Sequence, residues 1–136
     1  MVMLGTPNKG AELASMLRRN LIFRTIYGPA GQELVTDSTG TIGNLPIPSF
    51  EFGIIAGGRG DDRGFNPLLP GDNDSTVTIN SARLAGAADF LRIPKIHSFL
   101  MSDETVISAT RCFLEHGRFS MTREPDPIGQ EAAPCR

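Results

Sequence analysis

Cysteine is scarce in this chain, and the two that occur, Cys112 and Cys135, lack the paired spacing of a zinc site. A disulfide scaffold is excluded with it, and both are read as reduced, incidental thiols, since cysteine often serves as a small buried hydrophobe. Charge of one sign is not in excess: 13 Lys and Arg against 15 Asp and Glu leave a net charge of −2. With the signs mixed along the chain, no basic stripe exists to neutralise a run of phosphates, so nucleic acid is not an expected partner. No apolar run approaches the ~20 residues of a membrane span, which excludes an integral membrane segment. The start, Met-Val-Met-Leu-Gly-Thr-Pro, has no basic region and reaches Gly5 and Pro7 before a hydrophobic region forms. It is therefore no secretory signal, and a cytoplasmic location is expected. Gly57-Gly58-Arg59-Gly60 does not supply the Gly-x-Gly-x-x-Gly spacing of a dinucleotide cradle and reads as a flexible loop. Arg59-Gly60-Asp61, without a secretion signal, reads as a chance tripeptide. No metal or organic cofactor is implied.

What remains is a composition of 40% hydrophobic and 21% charged residues over 136 positions, enough for one compact domain. Residues 1–4 form a buried-strand run broken by Gly5-Thr6-Pro7. From Asn8, a helix cap, apolar residues recur at Leu13, Met16, Leu17 and Leu21 and continue through Ile22, Phe23 and Ile26 until Gly28-Pro29. The cluster of Leu21, Ile22, Phe23, Ile26 and Tyr27 suits either plain core or the lining or cover of a pocket. Residues 30–48 are rich in Gly and Pro and too long for a simple connection, so they are expected to border a pocket beside the functional residues. Residues 50–56 read as a strand, 59–73 as a second loop, and 76–79 as extended. Asn80 or Ser81 is expected to cap a short helix reaching residue 88, and residues 90–96 form another strand. A last helix, capped by Ser102 or Asp103, carries Val106, Ile107, Ala109, Cys112, Phe113 and Leu114 near its apolar stripe and closes at His116-Gly117. Residues 1–123 are read as the domain and 124–136, with three prolines, as a flexible tail. Strands alternating with helices predict an α/β fold with about three parallel core strands and flanking helices.

Two residues carry candidate chemistry. Gly71-Asp72-Asn73-Asp74-Ser75-Thr76-Val77 sets a carboxylate in a turn before an extended segment, and His97 follows twenty-three positions later at the end of a strand. Sites in open α/β sheets gather outside the carboxyl ends of the strands, so an acid there can orient an imidazole as general base. Each also has a plainer reading: Asp74 as a turn former bonding its own backbone, His97 as a packed or capping residue. The order acid, strand, histidine, final helix favours the first, because it is the chain order of one fold.

Here Leu4-Gly5-Thr6-Pro7-Asn8-Lys9-Gly10 resembles the Thr-Pro-(Asn or His)-x-Gly turn of bacterial lipases of the α/β-hydrolase type. Asp74-Ser75-Thr76-Val77 resembles their Asp-Gly-Thr-Val acid turn, with Ser75 where glycine is usual. His97-Ser98-Phe99-Leu100-Met101 resembles their histidine loop. The resemblance implies a partial α/β-hydrolase fold, its C-terminal half, with Asp74 as triad acid and His97 as triad base. It implies a carboxylic ester or lipid as substrate.

The nucleophile is the departure. None of the nine serines has glycine two residues before and two after, as the strained Gly-x-Ser-x-Gly elbow requires. Ser38, in Thr36-Asp37-Ser38-Thr39-Gly40, has only the second glycine and stands as a substitute nucleophile or a turn serine. Two expectations follow: an ester hydrolase lineage supplying acid and base, or a non-catalytic fragment that needs another chain. An edge strand at residues 1–4 would expose unpaired N–H and C=O groups, so self-association through the Met1 to Leu4 edge is expected.

Overall fold

The computed structural model describes residues 1–9, 46–122 and Ile128. The body of the helix expected after Asn8, the loop at 30–45, Ser38 and Cys135 lie outside the described residues.

Three strands, β1 (Val2–Leu4), β2 (Gly53–Gly57) and β3 (Asp89–Ile93), form one parallel sheet in that spatial order. The register sets Leu4 opposite Ile55 and Ile55 opposite Leu91. β2 is buried along its whole length, being paired on both edges and covered on both faces, and its Gly-Ile-Ile-Ala-Gly sequence accordingly shows no polar alternation. Its side chains still alternate between faces. Ile54 and Ala56 enter one apolar layer with Phe52, Val77, Ala82, Ala87 and Phe90. Ile55 enters the other with Ile93, Leu100, Val106, Ala109, Phe113 and Phe119.

Three helices complete the described chain: α1 (Ile79–Ala82) and, after β3, α2 (His97–Leu100) and α3 (Glu104–His116). α1 covers the first layer through Ala82, while α2 and α3 cover the second through Leu100, Val106, Ala109 and Phe113. α3 begins where the Asp103 carboxylate accepts from the N–H groups of Thr105 (2.9 Å) and Val106 (3.2 Å). Lys95 holds the same carboxylate at 3.0 Å. The helix ends at Gly117, whose φ of 73° lets its N–H return to the Phe113 carbonyl.

Several elements differ from the sequence reading. Of residues 76–79, expected to be extended, 76–78 lie in a turn closed by one antiparallel bridge between Asn73 and Thr78, where Thr78 is extended, and Ile79 already opens α1. Thr78, rather than Asn80 or Ser81, caps α1, its hydroxyl accepting from the Ser81 N–H at 3.0 Å. α1 stops at Ala82 because Arg83 is already extended. β2 starts at Gly53, leaving Phe50 exposed, and β1 is half-buried rather than buried. β3 ends at Ile93, before Pro94, which has no N–H for the ladder. Residues 94–96 therefore separate it from His97. On α3, Ile107 and Leu114 are 56% and 66% exposed, since each follows a buried position by one residue and so lies about 100° around the helix.

The glycine-rich segment after β2 is tied down rather than loose. Gly57 belongs to the strand, and the N–H groups of Arg59 and Gly60 both donate to the Asp72 carboxylate, at 2.7 and 2.8 Å. Arg59 also pairs with Asp61 at 3.3 Å, closing the Arg-Gly-Asp tripeptide on itself. Within the stretch read as a tail, Ile128 donates to Ala87 (3.1 Å), accepts from Gly86 (2.8 Å) and packs against the first layer.

Gly53 is where the second layer comes closest to the sheet. A Cβ there would lie 2.5 Å from Phe113 Cε2 and 2.7 Å from Phe119 Cζ, rings that are themselves packed 4.9 Å apart. Gly53→Ala is expected to destabilise the chain by about 1–3 kcal/mol, the usual cost of overpacking. Urea unfolding checks it, as a lower midpoint with unchanged slope.

Candidate active site

Asp74 and His97 meet at the carboxyl end of the sheet. Their backbones join first: the His97 N–H opens α2 and has no partner within the helix, and it donates to the Asp74 carbonyl at 2.8 Å. The side chains join second, with His97 Nδ1 2.7 Å from Asp74 Oδ2. Asp74 is 1% exposed, and its other oxygen accepts from the N–H groups of Thr76 (3.0 Å) and Val77 (2.7 Å). A buried carboxylate needs such donors, because leaving it unpaired would cost several kcal/mol, about the scale of a small domain's whole stability.

The turn that supplies them depends on Ser75. Its φ of 83° swings the following N–H groups back onto Asp74, and it is the one non-glycine residue with positive φ among those described. The serine thus adopts the backbone angle that glycine takes freely. Asn73 holds the preceding side of the turn and is fully buried. Its Oδ1 accepts from Asn66 (2.9 Å) and Ser75 (3.0 Å), and its Nδ2 donates to the Gly71 and Asn66 carbonyls at 2.9 and 3.1 Å.

Beneath the pair lie two glycines that periodicity did not single out. A Cβ at Gly5, just past β1, would sit 2.9 Å from His97 Cε1; a Cβ at Gly57, ending β2, would sit 2.7 Å from Asp74 Cβ. Both strand ends are thus stripped to backbone where the two side chains rest. The signal was present as glycine closing an apolar strand, but it reads equally as a strand terminator.

A carboxylate offers only acceptors, so the shared proton belongs to Nδ1, and in the neutral ring Nε2 keeps its lone pair. The hydrogen bond from Asp74 raises the His97 pKa above its ordinary value; burial opposes this, and the Asp74 charge adds to it. The ring remains 33% exposed, accessible to a reacting group. A cavity of about 390 Å³ opens along the same loop, lined by Phe65, Pro94, Lys95, Ile96, Phe99, Ser102 and Asp103, without His97. Ser38 and the pocket border expected at residues 30–45 lie outside the described residues. Among the described residues no cluster of His, Cys, Asp or Glu is arranged to hold a metal. None of their helices is long and apolar enough to cross a membrane.

Among solved structures, the chain is similar to a lipase from Bacillus licheniformis in its propeptide form, with a TM-score of 0.55 and 22% identity. The described sheet is part of an α/β-hydrolase-like fold. The match takes in 97% of this chain but 31% of the lipase, so the chain spans about a third of that protein's length. No protein-family profile and no curated protein matches the sequence.

Two measurements test the geometry of the Asp74–His97 pair. A raised histidine pKa contributes stability that is fully present below the unfolded value of about 6.5 and is lost as pH rises through the folded value. The stability difference between the chain and its His97→Gln variant is therefore expected to be largest just below that pH and to shrink above it, read by urea unfolding across the range. Ser75→Gly is expected to raise the thermal midpoint, because a strained positive φ costs on the order of 1–3 kcal/mol and glycine's added chain entropy offsets only part of it.

Proposed function

We propose that this chain is the acid and base portion of a carboxylic ester hydrolase. The observation that carries the reading is the 2.7 Å contact between a buried carboxylate and a partly exposed imidazole at the carboxyl edge of a parallel sheet. His97 Nε2 would take the proton of a serine hydroxyl as it attacks the ester carbonyl and return it to the departing alkoxide. Asp74 would hold the Nδ1–H tautomer and stabilise the imidazolium between those steps. The fold likeness to a protein described as a lipase supports an ester or lipid as substrate. The serine would come from a Gly-x-Ser-x-Gly segment that these 136 residues do not contain.

That missing motif favours a second reading, a module that functions only when joined to further chain. β1, at one edge of the described sheet, would be its place of association, with a second copy or with the nucleophile-bearing segment.

A p-nitrophenyl ester assay, run beside fluorophosphonate labelling with the labelled residue located by mass spectrometry, separates the two. Under the first reading a serine is labelled, either Ser38 in the chain alone or the motif serine once a Gly-x-Ser-x-Gly segment is joined to it, and His97→Ala then lowers kcat by at least about 10²-fold, the usual contribution of a general base. Asp74→Asn is also severely impaired, because it supports the wrong imidazole tautomer. Rates unchanged in both variants overturn the assignment of this pair. A chain neither labelled nor active even when joined to such a segment, yet associating in sedimentation equilibrium, supports the second reading.

A further inference from the structure

Asn8 makes a contact across the fold that its reading as a helix cap does not explain. Its side-chain N–H donates to the Ala82 carbonyl at 2.7 Å, over a separation of 74 residues. Beside it the Lys9 N–H donates to the Ser81 carbonyl at 3.0 Å, and Lys9 Nζ reaches Asn80 Oδ1 at 3.4 Å. These carbonyls end α1, where the helix supplies no N–H donor of its own. The turn after β1 therefore caps a helix far along the chain.

Both ends of this connection reach the candidate site. Upstream, Gly5 in the same turn underlies the His97 ring, its N–H fixed to the Ile55 carbonyl at 2.8 Å. Downstream, α1 is continuous with the acid turn: Thr78 bridges to Asn73, and the Ile79 N–H donates to the Asp72 carbonyl at 2.9 Å. The contacts make a closed circuit running from Asp74 to His97, to Gly5, to Asn8, to α1 and back to the acid turn. Every link except the one from Asn8 to Ala82 and its Lys9 neighbours is local backbone or part of the site itself.

We infer that Asn8 is a positioning residue that holds the His97 floor at a fixed distance from the acid turn and so sets the Asp74–His97 contact. Losing the Asn8 contact removes the side-chain tie between the turn after β1 and α1 while the Lys9 contacts and the strand pairing remain, so the floor and the acid turn are less firmly aligned, and a directional hydrogen bond weakens steeply with misalignment. The catalytic importance of Asn8 rests on the proposed ester hydrolase reading. The geometric inference does not, and its test reads the imidazole directly.

The experiment uses the whole 136-residue chain and its Asn8→Leu, Asn8→Asp and Asn8→His variants, with His97 followed by NMR. Leucine keeps the shape of asparagine without a donor, and aspartate replaces the donor with an acceptor. Histidine can place an Nδ1–H at the same number of bonds from Cα. Among the described residues Asp74 is the charged group acting on His97, and Gly5 beneath the ring brings none. The expected result for Asn8→Leu and Asn8→Asp is loss of the low-field Nδ1 proton signal and a His97 midpoint falling toward about 6.5. Asn8→His should restore both. A lowered thermal midpoint with an unchanged His97 signal and titration would overturn the inference and leave Asn8 a purely structural cap. Global unfolding of both donor-less variants would overturn it equally, assigning the contact to folding as a whole.

Discussion

A carboxylate sealed from water dictates how its neighbours are arranged, and Asp74 is that group here. Its oxygens are satisfied by two backbone N–H groups of its own turn and by the His97 ring. The first two require the backbone to fold back within three residues, which is why Ser75 takes a positive φ. The third requires α2 to start where it does, with its first N–H on the Asp74 carbonyl. One burial thus fixes a turn, a helix start and an imidazole tautomer.

The sheet serves this arrangement by giving up side chains. β1 and β2 are short and apolar, yet Gly5 and Gly57 stand at or just past their carboxyl ends, directly under the histidine and the acid. Larger residues at those positions would displace the ring or the turn. The same economy of space recurs at Gly53, where two phenylalanine rings of the second layer press onto the strand. Rigid elements therefore carry the pair, and the loop from residue 59 to 73 braces it through Asp72 and Asn73 rather than hanging free.

The differences between expectation and structure share a cause. Residues 76–79 have the composition of a strand, but the donors Asp74 needs take the N–H groups that a ladder would use. The glycine-rich run after β2 looks unconstrained in sequence, and a carboxylate thirteen residues away organises it. On α3, hydrophobicity alone counted Ile107 and Leu114 into the stripe, and their place about 100° around the helix from Val106 and Phe113 left them outside. In the first two cases a carboxylate took backbone donors that composition assigned elsewhere, one from its own turn and one from thirteen residues away, and in the third helical geometry outweighed hydrophobicity.

The sequence by itself determined the α/β class, about three core strands and the stop of the last helix, narrowed that helix's cap to Ser102 or Asp103, and singled out Asp74 and His97 as a candidate pair. Each of these rests on local chemistry: apolar runs bounded by glycine and proline, an Asp at a helix start, an acid and a histidine in a particular chain order. Only the tertiary structure decided that the two side chains touch, that Nδ1 faces the carboxylate, and that Gly5, Gly57, Asn73 and Asn8 support them. Those contacts join segments up to 74 residues apart. Such distances exist only once parallel strands have been brought into register, and no local pattern of residue types encodes them.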